Sequence, residues 1–162
     1  MVAIGQRALN ASRELVPLKA RTKNAILLAM AAELEARREA IRAANAIDME
    51  EGRNAGLSDA MLDRLLITDA RIDGMIKGIQ AVAALKDPIG SRISRWIRPN
   101  GLEIIKQRVP IGVVGIIYES RPNVTADSAV LCFKTSNAVI LRGGKEAVNS
   151  NAAIADALIE GG

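Results

Sequence analysis

Leu27, Met30, Leu34 and Ile41 recur at spacings of three, four and seven, which places them on one face of a helix running over about residues 20–46. Alanines supply helix propensity along this stretch, and Arg37, Arg38, Glu39 and Arg42 fill the wet side. Gly52 and Gly56 interrupt the pattern, Ser58 is placed to cap a short helix through Leu66, and Thr68 to cap another. In that helix Ile72, Met75, Ile76, Ile79 and Val82 form the apolar stripe, and Asp87-Pro88 ends it because proline disfavours helical geometry in the residue before it. The role of these helices read from pattern is core packing.

The period changes after Ser91. Ile93–Arg98 and Leu102–Arg108 are β-prone runs flanking Pro99-Asn100-Gly101, a hairpin signal. An isolated two-stranded ribbon is barely stable in water, so this one either folds onto its own domain or pairs with another chain. Beyond Pro110, Ile111–Ile117 is a short continuous apolar run, the pattern of a strand buried on both faces. Asn123–Lys134 reads as a helix opened by Pro122 and closed near Ser136-Asn137. Ala138–Leu141 is a second buried strand and Asn151–Glu160 a last helix. The fold class is therefore α/β: a helical region at 1–90, a β-hairpin at 91–108 that is a candidate oligomerisation element, and at 109–162 a βαβα unit that begins a parallel Rossmann-like sheet. Two parallel strands do not bury their own apolar faces, so the chain is expected to be a portion of a larger α/β protein.

Composition trims the functional alternatives. The sequence has no histidine and one cysteine, which removes a Ser-His-Asp triad, a Cys-His dyad, a His-bearing metal site and an internal disulfide, and fits a reducing cytoplasm. No apolar run approaches a transmembrane length, and Arg7, Arg13 and Glu14 interrupt the first residues, unlike a secretory signal. The net charge is +4, with aromatics at 2%. Acids interleave with the basic residues, as in Glu33–Glu39, so a solvated helix face explains the excess better than nucleic-acid binding. Cys132 is apolar-flanked and late in its helix, the setting of a small buried hydrophobe rather than a nucleophile.

Ligands of open α/β sheets bind beyond the carboxyl ends of the strands. Two loops fall there. One is Tyr118-Glu119-Ser120-Arg121-Pro122-Asn123; the other is Arg142-Gly143-Gly144-Lys145, whose glycines permit close backbone approach to a phosphate and whose cations bring positive charge to the same rim. Spacing alone favours a tight turn with exposed basic residues, since the pattern is neither a Rossmann fingerprint nor a Walker loop.

Val109–Asp127, with Tyr-Glu-Ser-Arg-Pro-Asn-Val-Thr at its centre, and Leu131–Glu146, with Ile-Leu-Arg-Gly-Gly-Lys-Glu, resemble the gamma-glutamyl phosphate reductase family of the aldehyde dehydrogenase superfamily. Leu57–Leu65 and Asp87–Gly90 extend the likeness over essentially the whole chain, as the amino-terminal portion of the family. The resemblance implies NADPH-dependent reduction of L-glutamyl 5-phosphate to L-glutamate 5-semialdehyde and phosphate, in proline biosynthesis. In that scheme a cysteine thiolate displaces phosphate, and hydride from the cofactor reduces the resulting thioester. It also implies that Arg142, Gly143, Gly144 and Lys145 bind the cofactor, that Tyr118 and Glu119 border it, and that Asn123 is the amide available to stabilise the oxyanion, with Glu119 competing for that position. The hairpin matches part of an oligomerisation flap, which implies a homo-oligomer. No residue here matches the family nucleophile, whose catalytic domain lies further along, so the chain alone is expected to be inactive. Two alternatives are a non-catalytic oligomerisation or interaction module and, weakest, a nucleic-acid binder; no metal and no membrane partner are expected.

Overall fold

The computed structural model describes residues 2–162. Five helices come first: α1 (Val2–Leu15), α2 (Ala20–Ala36), α3 (Arg38–Asn54), α4 (Asp59–Leu65) and α5 (Asp69–Ala84). An antiparallel hairpin, β1 (Arg92–Ile97) with β2 (Glu103–Gln107), follows. Then β3 (Val113–Ile117), α6 (Asn123–Lys134), β4 (Ala138–Arg142), a single 3-10 turn at Lys145–Ala147 and α7 (Val148–Gly161) complete the chain. β3 and β4 pair in parallel, Val113 beside Ala138 and Ile117 beside Arg142.

The helix expected over 20–46 is two helices that change direction at Arg37 (φ −101°, ψ 15°). The backbone ladder nearly survives the bend, since Arg37 N–H still donates to Glu33 at 2.9 Å and Ile41 N–H to Arg37 at 3.0 Å. Packing explains it: α2 buries Leu27, Ala31 and Leu34 against α5 and α7, whereas α3 turns Ile41, Asn45, Asp48 and Met49 toward α7 and α4. Thr68 caps α5 as expected, its hydroxyl accepting from Arg71 N–H at 3.2 Å. Ser58 has the extended backbone of a cap, but its carbonyl rather than its hydroxyl accepts from Met61 and Leu62.

One apolar core joins the first helices to the βαβα unit. Leu27, Leu34, Ile41, Ile72 and Ile79 pack with Ala126, Val130 and Ile154 of α6 and α7. Two buried lysines tie the same elements together. Lys23 donates to Ser136 Oγ at 3.0 Å and to the Lys134 carbonyl at 3.1 Å, and is ion-paired with Asp87. Lys134 donates to Asn24 Oδ1 at 2.6 Å and, at the end of α5, to the Ala83 carbonyl at 2.9 Å. Burial pushes the Lys134 ammonium below its ordinary range, Lys23 adding to this and Asp87 opposing it. The interleaved surface charges are substantially paired: Arg38 bonds Glu35, Asp69 and Asp73, and Arg37 bonds Glu33 and Glu160.

The hairpin stands apart. Its turn uses Gly101 in the left-handed region (φ +85°), with Asn100 Oδ1 accepting from Leu102 N–H at 3.2 Å. Trp96 lies opposite Ile104, and of the eleven strand residues only Ile104 is even half-buried. The expectation that β3 is buried on both faces is not met. Its residues are half-buried or exposed, and Ile117 is 81% exposed, because β4 is its one strand neighbour among the described residues.

Candidate functional site

The two loops anticipated beyond the strand ends do come together. β3 delivers Tyr118 and β4 delivers Arg142, and Tyr118 N–H donates to the Arg142 carbonyl at 3.1 Å. The Tyr118 hydroxyl lies 2.6 Å from Thr125 Oγ1, and Thr125 donates to Asn151 Oδ1 at 3.0 Å, so ring and amide meet beneath Gly143. A Cβ at Gly143 would run into the Asn151 amide and the Tyr118 ring, and one at Gly144 would run into the Glu146 carboxylate. A side chain at 143 would therefore have to displace the Asn151 amide and crowd the Tyr118 ring.

Arg142 and Lys145 are both exposed, and Glu119 is exposed on the facing loop. Glu146 was not anticipated. Its carboxylate accepts the hydroxyl of buried Ser120 and bridges the two loops. That hydrogen bond holds the Glu146 carboxyl below the usual glutamate range, and Lys145 and Arg142 pull it the same way. Ser120 carries no charge and no repeat marks it, so no sequence signal singled out the pair.

The rim is fixed from behind by another unanticipated residue. Asp48 of α3 is buried, and its carboxylate accepts from Asn149 N–H at 3.1 Å, Asn149 Nδ2 at 2.8 Å, Ser150 N–H at 2.7 Å and Ser150 Oγ at 2.5 Å. These amides are the free donors at the start of α7. That helix end is already satisfied by the protein's own anion, so the positive charge left exposed on this rim is that of Arg142 and Lys145 and not of the α7 amides. A dinucleotide phosphate suits two exposed cations beside glycine backbone.

Asn123 lies off the rim at the start of α6, where its Nδ2 donates to Asp127 Oδ2 at 3.2 Å. It lines a separate cleft of about 560 Å³ between α4, α5 and the Tyr118–Asn123 loop. Cys132 is buried on α6, and burial pushes its thiol up, which keeps it protonated and unreactive. Among the described residues no helix is long and apolar enough to cross a membrane.

No family model matches the chain. It is 55% identical over 161 residues, 99% of its length, to the gamma-glutamyl phosphate reductase of Mesorhizobium japonicum, and it spans 38% of that relative. The crystal structure of gamma-glutamyl phosphate reductase from Thermotoga maritima superposes with a TM-score of 0.93 at 45% identity, covering 96% of this chain and 38% of that one. A Bacillus subtilis protein described as an aldehyde dehydrogenase shares the fold at a TM-score of 0.67 and 17% identity, covering 95% of this chain and 32% of its own. The chain thus spans well under half the length of the proteins it matches. Over nearly all of its residues the chain is similar in sequence and structure to a portion of gamma-glutamyl phosphate reductases, and it has an aldehyde dehydrogenase-like fold.

Proposed function

We propose that this chain serves an NADPH-dependent reductase that converts L-glutamyl 5-phosphate to L-glutamate 5-semialdehyde and phosphate in proline biosynthesis, in the cytoplasm. The observation that carries this reading is the rim where β3 and β4 end: two exposed cations, a closely packed glycine and the Ser120–Glu146 bridge, in a sequence 55% identical to a reductase of that name. Arg142 and Lys145 hold the cofactor's phosphate, with preference for the 2′-phosphate of NADPH, while Gly143 and Gly144 let it approach the backbone. Tyr118 and Glu119 border the bound cofactor, which supplies hydride when present. Asn123 has a second amide N–H beyond the one given to Asp127, available to a carbonyl oxygen as negative charge develops on it.

The chain does not turn over by itself in this reading. Its single thiol is buried and held protonated, so it offers no thiolate for acyl transfer. The hairpin, with Trp96 44% and Ile97 64% exposed, is the surface through which copies assemble. The test is the reverse assay with L-glutamate 5-semialdehyde, NADP and phosphate. The purified 162-residue chain is expected to produce no NADPH; enzyme-dependent turnover would contradict this.

A further inference from the structure

The cleft beside the rim has an electrostatic composition of its own. Its floor is Leu66, Ile67, Met75 and Pro122, and it is hollow because α5 presents Ala70 and Gly74 there, without bulk. Around it stand Arg64, Arg71, Arg121, Asp63 and Asp127. Arg71 is committed: it is paired with Asp63 at 3.0 Å and donates to the Leu66 carbonyl at 2.6 Å. Arg64 and Arg121 have no acidic partner within ion-pair distance among the described residues, and Asp127 has no cationic one. Asn123 donates to one oxygen of Asp127 at 3.2 Å, and the other oxygen faces the side of α5 at Gly78, where glycine leaves room for it. One opening therefore gathers two guanidiniums and one carboxylate without ion-pair partners among the described residues.

We propose that this cleft is the subsite for the α-amino-acid end of the substrate. The Arg121 guanidinium takes the α-carboxylate through paired N–H donors, and the Asp127 carboxylate takes the α-ammonium. Arg64 supplies the remaining positive charge at the mouth. The inference rests on the reductase reading, because it assumes a substrate that carries a free amino-acid head. The loop order agrees with it. Ser120 reaches the cofactor rim while Arg121 and Asn123 line the cleft, so residues 120–123 touch both sides at once.

The test uses three probes on this chain, followed by residue-resolved amide spectra: L-glutamate, N-acetyl-L-glutamate, which lacks the ammonium, and 4-aminobutanoate, which lacks the α-carboxylate. L-glutamate is expected to shift residues 121–127 and to bind about ten-fold more tightly than either analogue. Asp127→Asn is expected to abolish the preference over N-acetyl-L-glutamate alone, and Arg121→Gln the preference over 4-aminobutanoate alone. Native amide dispersion in each variant separates these losses from unfolding. Equal binding of all three probes, no binding of L-glutamate, or shifts confined to other surfaces would overturn the proposal. NADPH is titrated into the same samples. Shifts at 142–145 with a silent cleft overturn the subsite alone, whereas silence at both places overturns the reductase reading as well.

Discussion

Asp48 and Ser150 are 102 positions apart in the chain, yet one carboxylate oxygen of Asp48 accepts both the Ser150 amide at 2.7 Å and its hydroxyl at 2.5 Å. This contact locks the start of α7 to α3, and with it the loop that runs from Arg142 to Ala147. Asn45, one turn earlier on α3, extends the lock by donating to Ser150 Oγ at 3.0 Å and to the Leu65 carbonyl at 2.8 Å. The geometry of the rim therefore depends on a helix far from it in sequence.

Replacing Asp48 with alanine leaves the α7 amides and the Ser150 hydroxyl without their acceptor. The expected cost is about 2–4 kcal/mol, read as a lower urea midpoint. Asp48→Asn keeps one acceptor oxygen and is expected to cost less. A loss within about 0.5 kcal/mol for alanine would mean that the contact does not hold the helix.

Lys23→Met removes the cation from a buried pair and leaves Asp87, the Lys134 carbonyl and Ser136 without their donor. A loss of about 3–5 kcal/mol is expected in the same unfolding measurement. Little change would show that the apolar core alone docks α2 onto α6.

The Glu146 carboxyl is held below its ordinary value of 4.5, first by Ser120 and then by its own backbone and the neighbouring cations. The stabilising contact is therefore complete above the ordinary glutamate range, and is lost as pH falls through the lower, folded-state value. Ser120→Ala is expected to move the Glu146 side-chain carbon titration upward toward the ordinary value. An unmoved titration would assign the depression to Lys145 and Arg142 instead.

Gly143→Ala forces the Asn151 amide and the Tyr118 ring apart. The expected result is a cost of about 1–3 kcal/mol together with shifted Tyr118 and Asn151 resonances. Native stability and unshifted resonances would show that the rim has slack.

Much of the architecture was legible from residue pattern. The hairpin announced itself through Pro99-Asn100-Gly101, and α5 through its capping Thr68, because turn and cap chemistry is local. The break at Arg37 was not legible, since no glycine or proline marks it and the backbone bonds run almost unbroken through it. The apolar run of β3 implied full burial, but burial depends on neighbours, and β4 is its one strand partner among the described residues. At the site, the basic and glycine positions at 142–145 were visible as a motif. Asp48, Ser120 and Glu146 were not, because their roles arise from contacts across 26 or more positions that no periodicity encodes.

The central claim is that the Arg142–Lys145 rim receives the phosphate of a nicotinamide cofactor, and a residue-resolved NADPH titration of this chain tests it most directly. The account predicts saturable shifts at residues 118–119 and 142–146, weaker shifts with NADH, and their loss in Arg142→Gln/Lys145→Gln. Shifts located elsewhere, or a double variant that binds NADPH as the parent does, would contradict it.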